Sequence, residues 1–241
     1  MSCNFKDKVA LITGASSKFG STIAKKLAHE GAHVILISRH IDNLKQIDND
    51  IKESQGSATL VQLDLLDFNA IKECSTLINS KFGVLDILIA GAEIIGDSQP
   101  LYEYSLETWN KIIDTNFSSS WYLIKNFNFL LKYSKAGRVI FLISEVIESI
   151  VSCPYWGAYA ASKTALEAIV KIYSTETKHT GICINMVYPG SINSVIKKKT
   201  LTDSDATESI ISDKLRDRFL YLISEECKYS GKTYQLDLPI D

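Results

Sequence analysis

Tyr159 and Lys163 stand four residues apart in the stretch WGAYAASK. On a helix that spacing puts both side chains on one face. An ammonium beside a phenol stabilises the phenolate and moves the tyrosine toward the range useful for proton transfer. Such a pair also arises by accident on solvated helix faces, so its setting has to add weight. The preceding apolar run RVIFLIS, residues 138–144, ends in Ser144, where a hydroxyl can face the same cleft. Tyr155 and Trp156, just ahead of the pair, either wall a pocket for an apolar substrate or pack the loop.

A second cluster is TGASSKFG, residues 13–20, set between a strand-like run and a helical pattern. That context raises a glycine motif above chance. Gly14 permits a tight turn, Gly20 lets the helix lie close to the strand, and the helix start offers N–H groups to phosphate. Ser16, Ser17, Lys18 and Phe19 complete the turn. Lys18 occupies the place of a third glycine. A left-handed lysine costs roughly 1–2 kcal/mol, while a charge-assisted hydrogen bond contributes about 1.5–3 kcal/mol, so Lys18 is expected to serve as a phosphate partner. Ser38 and Arg39 follow at the end of the next apolar run, where an acid would select the ribose 2′-hydroxyl of NAD. Serine plus arginine suits a 2′-phosphate, which predicts a preference for NADP(H) over NAD(H).

These residues need a frame. Seven apolar runs, at 8–13, 33–38, 58–64, 85–90, 138–144, 182–188 and 232–238, read as strands buried on both faces. Helical patterns lie at 42–54, 68–81, 106–132, 157–178 and 213–224, with Ile23, Ala24, Leu27 and Ala28 forming an apolar stripe that Gly31 closes. The alternation predicts an α/β fold: a three-layer, doubly wound (Rossmann-type), mostly parallel seven-stranded sheet with helices on both faces. It reads as one domain over 1–241, with a substrate loop at about 190–212. Ligands then bind beyond the carboxyl ends of the strands, near the reversal of strand order.

Composition narrows the classes. The chain has 241 residues, is 46% hydrophobic and carries a net charge of −2, which gives no global pull toward nucleic acid or anionic membrane. Lys197, Lys198 and Lys199 form the dense basic cluster and read as a solvated surface feature. Five scattered cysteines (3, 74, 153, 183 and 227) without CxxC spacing suit reduced thiols in a cytoplasmic protein. The four histidines (29, 33, 40 and 179) share no ligand spacing, so no metal is expected. The start reaches a strand-like run at once, with no secretory signal pattern, and no apolar stretch approaches membrane-spanning length.

Taken together, TGASSKFG, LDLLD, DTNFSSS, RVIFLIS, WGAYAASK and NMVYPGSINS resemble, in that order, the short-chain dehydrogenase/reductase family over nearly the whole chain. WGAYAASK and SEECKYSGKTYQLD are further similar to the YciK-like oxidoreductases. The resemblance implies a cofactor-dependent oxidoreductase of carbonyl and alcohol groups. Tyr159 is then the general acid/base, Lys163 holds the nicotinamide ribose and lowers the tyrosine pKa, Ser144 binds the substrate oxygen, and Asn116 anchors a water linked to Lys163. Asp64 and Leu65 lie at the adenine, Gly91 stands after the fourth strand where the family usually has an asparagine, and Pro189, Gly190, Ile192 and Ser194 border the nicotinamide amide. The helices at 106–132 and 157–178 become the surfaces of a homodimer or homotetramer.

Departures from the family pattern set limits. The family's NNAG reads AGAE at 90–93, which places Glu93 where a glycine is usual; the carboxylate either crowds the cofactor or turns outward. Glu145 follows Ser144 directly, the segment from Ser144 to Tyr159 is longer than usual, and Ser149 or Ser152 competes for the hydroxyl role. A catalytically silent nucleotide-binding or scaffold protein is the alternative. A nucleotide-sugar epimerase or dehydratase shares the Tyr–Lys pair, but the short C-terminal region and the glycine spacing disfavour it.

Overall fold

The computed structural model describes residues 4–144, 147, 154–188 and 213–236. Each expected apolar run becomes a strand: β1 (Val9–Thr13), β2 (His33–Ser38), β3 (Ser57–Gln62), β4 (Ile87–Ala90), β5 (Arg138–Leu142), β6 (Cys183–Tyr188) and β7 (Thr233–Gln235). They form one sheet in the order β3-β2-β1-β4-β5-β6-β7, every neighbouring pair parallel. Between them run α1 (Lys18–His29), α2 (Ile41–Glu53), α3 (Phe68–Phe82), α4 (Leu106–Ile113), α5 (Ser119–Tyr133), α6 (Gly157–Glu176) and α7 (Asp213–Leu222).

Successive residues of a strand face opposite sides, and the core divides accordingly. Ala10, Ile12, Val34, Leu36, Ile87 and Ile89 join one apolar cluster with Ile23 and Leu27 of α1, Leu44 and Ile51 of α2, and Phe219 of α7. Leu11, Ile35, Ile37 and Leu88 join a second cluster with Ile71 of α3, Leu123 and Phe127 of α5, and Leu166 and Val170 of α6. Helices thus cover both faces, giving the three layers expected. Each fully buried side chain of this kind contributes roughly 1.5–3 kcal/mol relative to exposure. No helix among the described residues is long and apolar enough to cross a membrane.

The strand order turns at β1, whose neighbours are β2 and β4. There the chain ends of β1 and β4 touch. Gly14 has φ +67°, and a Cβ on it would stand 2.6 Å from the Gly91 carbonyl oxygen. A Cβ on Gly20 would stand 2.4 Å from the Gly14 oxygen. Both glycines are therefore required by the close approach of backbone to backbone.

The stretch read as a single helix over 106–132 is interrupted. α4 and α5 are joined by a π-helical turn at Asp114–Ser118, where the Ser119 N–H reaches the Asp114 carbonyl. Ser119 and Ser120 hydroxyls donate back to the carbonyls of Thr115 and Asn116. Local serine-to-backbone bonds of this kind compete with the regular ladder, and π-turns gather at functional sites. Here the turn carries Asn116.

Candidate active site

Beyond the carboxyl ends of β1, β2, β3 and β4 lies a cleft of about 360 Å³. Its outer part is lined by Gly14, Ser16, Ser17, Phe19, Ser38, Arg39, Asp64 and Leu65, its inner part by Gly91, Ala92, Glu93, Ile94, Thr115 and Leu142. Most of the predicted nucleotide residues of the described chain are thus brought together, while the buried Gly20, the exposed Lys18, and Tyr159 and Lys163 lie outside this lining. Nor does Lys18 need a left-handed backbone, as the sequence allowed. It is the first residue of α1, and among the described residues the non-glycine residues with positive φ are Asp7, Gln55 and Tyr155. Ser17 caps α1, its hydroxyl accepting from the Gly20 N–H at 3.0 Å. Pro189, Gly190, Ile192 and Ser194 lie outside the described residues, as do Ser149, Ser152, Glu145 and the loop at 190–212.

At the outer end the buried Ser38 hydroxyl meets that of Ser16 at 3.0 Å and takes the His40 N–H at 3.3 Å. Arg39 is exposed beside them, its carbonyl held by the Gln62 amide at 3.1 Å, and no ion pair among the described residues engages its guanidinium. Asp64 accepts from the Leu66 N–H and so shapes its own loop, while Leu65 is buried.

The inner end is built on the irregular segment 91–100. Thr13, at the end of β1, takes the Gly91 and Ala92 N–H groups on its hydroxyl at 3.1 and 3.3 Å. Asn116 clasps Ile94, accepting from its N–H at 2.9 Å and donating to its carbonyl at 2.8 Å. The same amide donates to the Ser162 hydroxyl of α6 at 3.0 Å. Farther on, Gln99 donates to the Tyr155 carbonyl at 3.0 Å. Tyr155 is exposed and holds φ +70°, whereas Trp156 is buried, so of the two only Trp156 fills the interior. Thr13 carries a role that the residue-type reading missed; a hydroxyl closing a fully buried strand was the available signal.

Tyr159 and Lys163, one turn apart on α6, are each only 2% exposed. Ser144 is buried and hydrogen-bonds the Tyr159 phenol. The Lys163 ammonium donates to the Leu142 carbonyl at 3.1 Å. A buried ammonium requires a counter-charge, and Glu93 supplies it: Oε2 lies 2.6 Å from Lys163 Nζ and accepts from the Tyr159 hydroxyl at 3.2 Å. Of the two outcomes open in the sequence, the carboxylate has turned inward.

This reverses one electrostatic expectation. The spacing of Tyr159 and Lys163 predicts an acidified phenol. Instead burial, first, and the Glu93 charge, second, hold Tyr159 well above the usual tyrosine range, with the Ser144 hydrogen bond opposing them. Lys163 Nζ, 5.7 Å from the centre of the Tyr159 ring, has its charge taken up by Glu93.

The family model described as short chain dehydrogenase matches residues 8–205. The chain belongs to the short-chain dehydrogenase family. Within it, the chain is 28% identical over 233 residues to the uncharacterized oxidoreductase YciK of Escherichia coli, covering 95% of this chain and 91% of that one. It is 27% identical over 232 residues to a 3beta-hydroxysteroid dehydrogenase of Mediterraneibacter gnavus, covering 96% and 82% respectively. Among solved structures, a short chain dehydrogenase of Shigella flexneri complexed with NADP superposes with a TM-score of 0.87 at 25% identity, over 99% of this chain and 100% of that one. The YciK-like branch expected from the sequence is therefore represented among its relatives. Family membership makes the protein an NAD(P)-dependent oxidoreductase. The outer end of the cleft suits such a cofactor on its own chemistry, with hydroxyls, a guanidinium and a helix start, and at the inner end Glu93 covers a lysine and a phenol.

Proposed function

We propose that the chain is an NADP(H)-preferring oxidoreductase acting on a carbonyl/alcohol pair, with Tyr159, Lys163, Ser144 and Asn116 as its catalytic set. The observation that carries this reading is the gathering of Ser144, Tyr159 and Lys163 behind Glu93, which lines the inner end of a cleft whose outer end presents Arg39. When bound, the nicotinamide cofactor supplies hydride exchange with the substrate carbon. The protein's own part is positional and protonic. Ser144 and Tyr159 orient the substrate oxygen by hydrogen bonds, and the Tyr159 hydroxyl gives or takes the proton there. The direction proposed is reduction, with Tyr159 donating the proton.

Gly14, Ser16, Ser17, Phe19, Gly20 and Gly91 shape the nucleotide end, Lys18 adds positive charge at the start of α1, and Asp64 and Leu65 border the adenine. Ser38 and Arg39 meet the 2′-phosphate, a choice supported by the relative complexed with NADP. Pro189, Gly190, Ile192 and Ser194 complete the nicotinamide end. The chain acts as a single domain, in the cytoplasm, on a small molecule. Self-association would run through α5 and α6, which expose Trp121, Phe129 and Ile172.

A second reading, a nucleotide-binding protein without turnover, is favoured by one observation, the carboxylate of Glu93 on Lys163. Calorimetric titration with NADPH and NADH, followed by a panel of ketones and aldehydes, tests the proposal. NADPH bound more tightly than NADH, with oxidation of NADPH by some member of the panel, supports the enzyme. Tighter NADH binding removes the role of Arg39, and NADPH binding with no turnover favours the second reading.

A further inference from the structure

We propose that Glu93 is a side-chain gate on the inner half of the cleft: its carboxylate holds the Lys163 ammonium, and the nicotinamide-ribose hydroxyls of the cofactor must displace it. This rests on the proposed NADP(H) reading and extends it to a residue that the family pattern fills with glycine.

Three observations converge. Glu93 lines the inner end of the cleft, and a single oxygen of it engages both Lys163 at 2.6 Å and Tyr159 at 3.2 Å. The backbone on either side is pinned, Ala92 to Thr13 and Ile94 to Asn116, so the motion available is that of the side chain and not of the loop. The two partners also differ in freedom, since Lys163 is 2% exposed while the Glu93 side chain is 35% exposed. The lysine is fixed, and the carboxylate can swing into solvent.

A ribose diol offers the ammonium neutral hydroxyl acceptors where Glu93 offers a carboxylate, so the two compete for one donor. While Glu93 is in place, Tyr159 is committed to donating to it. Cofactor arrival, by displacing the carboxylate, frees the phenol for the substrate oxygen.

The test is calorimetric titration of wild type, Glu93→Gln and Glu93→Gly with two ligands: NADPH, and adenosine 2′,5′-bisphosphate, which lacks the nicotinamide half. The gate predicts that both variants bind NADPH about ten- to a hundredfold more tightly than wild type, the range of one charge-assisted hydrogen bond. Bisphosphate binding stays equal in all three. If Glu93→Gly fails to fold by circular dichroism, Glu93→Gln, which keeps the side-chain shape, decides alone. NADPH binding unchanged or weakened beside retained bisphosphate binding overturns the gate and leaves the nucleotide reading standing. An equal gain for both ligands also overturns it, because the effect is then a general one of charge. Failure of both ligands to bind any of the three proteins overturns the NADP(H) reading and the gate with it.

Discussion

Asn116 grips Ile94 at both ends of its backbone, accepting from the N–H at 2.9 Å and donating to the carbonyl at 2.8 Å. A π-helical turn thus holds a loop with no regular structure of its own, immediately beside Glu93. Asn116→Ala leaves both backbone groups without this partner. Both groups are half-buried, so the expected cost is about 0.5–1.5 kcal/mol for each hydrogen bond lost, read by urea denaturation. Hydrogen exchange at residues 92–97 should accelerate with it. Unchanged exchange there would show that the clasp does not hold the loop.

Arg39→Ala should weaken NADPH binding by about ten- to a hundredfold, the worth of a charge-assisted contact to phosphate. NADH, which has a hydroxyl at that position, should lose little. Equal losses for the two cofactors in calorimetry would remove Arg39 from 2′-phosphate recognition.

Tyr159→Phe should lower turnover by about 10²–10⁴-fold, the usual contribution of a positioned general acid or base, while NADPH binding is retained. Full turnover in steady-state assays of the variant would exclude the proton-transfer role.

The raised pKa of Tyr159 has a consequence for alkaline stability. An unfolded tyrosine ionises near pH ~10, whereas the buried phenol holds its proton well above that. The stabilisation is therefore complete below about pH 10 and is lost as pH rises toward the folded value. Tyr173, also raised, and Tyr234, pushed up to about 12, add to the same slope. Wild type should accordingly lose stability relative to Tyr159→Phe above about pH 10, measured by denaturation at stepped pH. Glu93→Gln removes the charge that, after burial, does most to raise the phenol. Its Tyr159 should ionise at lower pH by ultraviolet difference spectroscopy.

Gly14→Ala meets both a positive φ and a contact of 2.6 Å with the Gly91 oxygen. Backbone strain alone costs roughly 1–2 kcal/mol. In a chain of this size that corresponds to a fall in Tm of about 2–8 °C, and the clash adds to it. A calorimetric scan showing no fall would mean that the two loops can separate freely.

Much of this was legible because it is local. Buried strands announce themselves as uncharged runs, and Tyr159 and Lys163 share a face by helical spacing alone. The pairing of Gly14 with a turn and Gly20 with a close helix start is likewise contained in eight residues. What escaped depends on distant segments meeting. The inward turn of Glu93 follows from a buried ammonium seventy residues later in the chain. The stapling by Thr13 requires β1 and β4 to be neighbours, which strand patterns do not specify. The break at Asp114–Ser118 lies in serine hydroxyls that suit a regular helix surface equally well until their back-bonds form.

The place of β1 between β2 and β4 also bears on how the protein is made. One flank of β1 comes from residues 33–38, the other only from residues 87–90. During synthesis the glycine turn therefore waits for its opposite wall until a segment more than seventy residues farther along has emerged, and parallel pairings across such separations form slowly. The nascent chain closes its nucleotide cleft only once both flanking segments have been made.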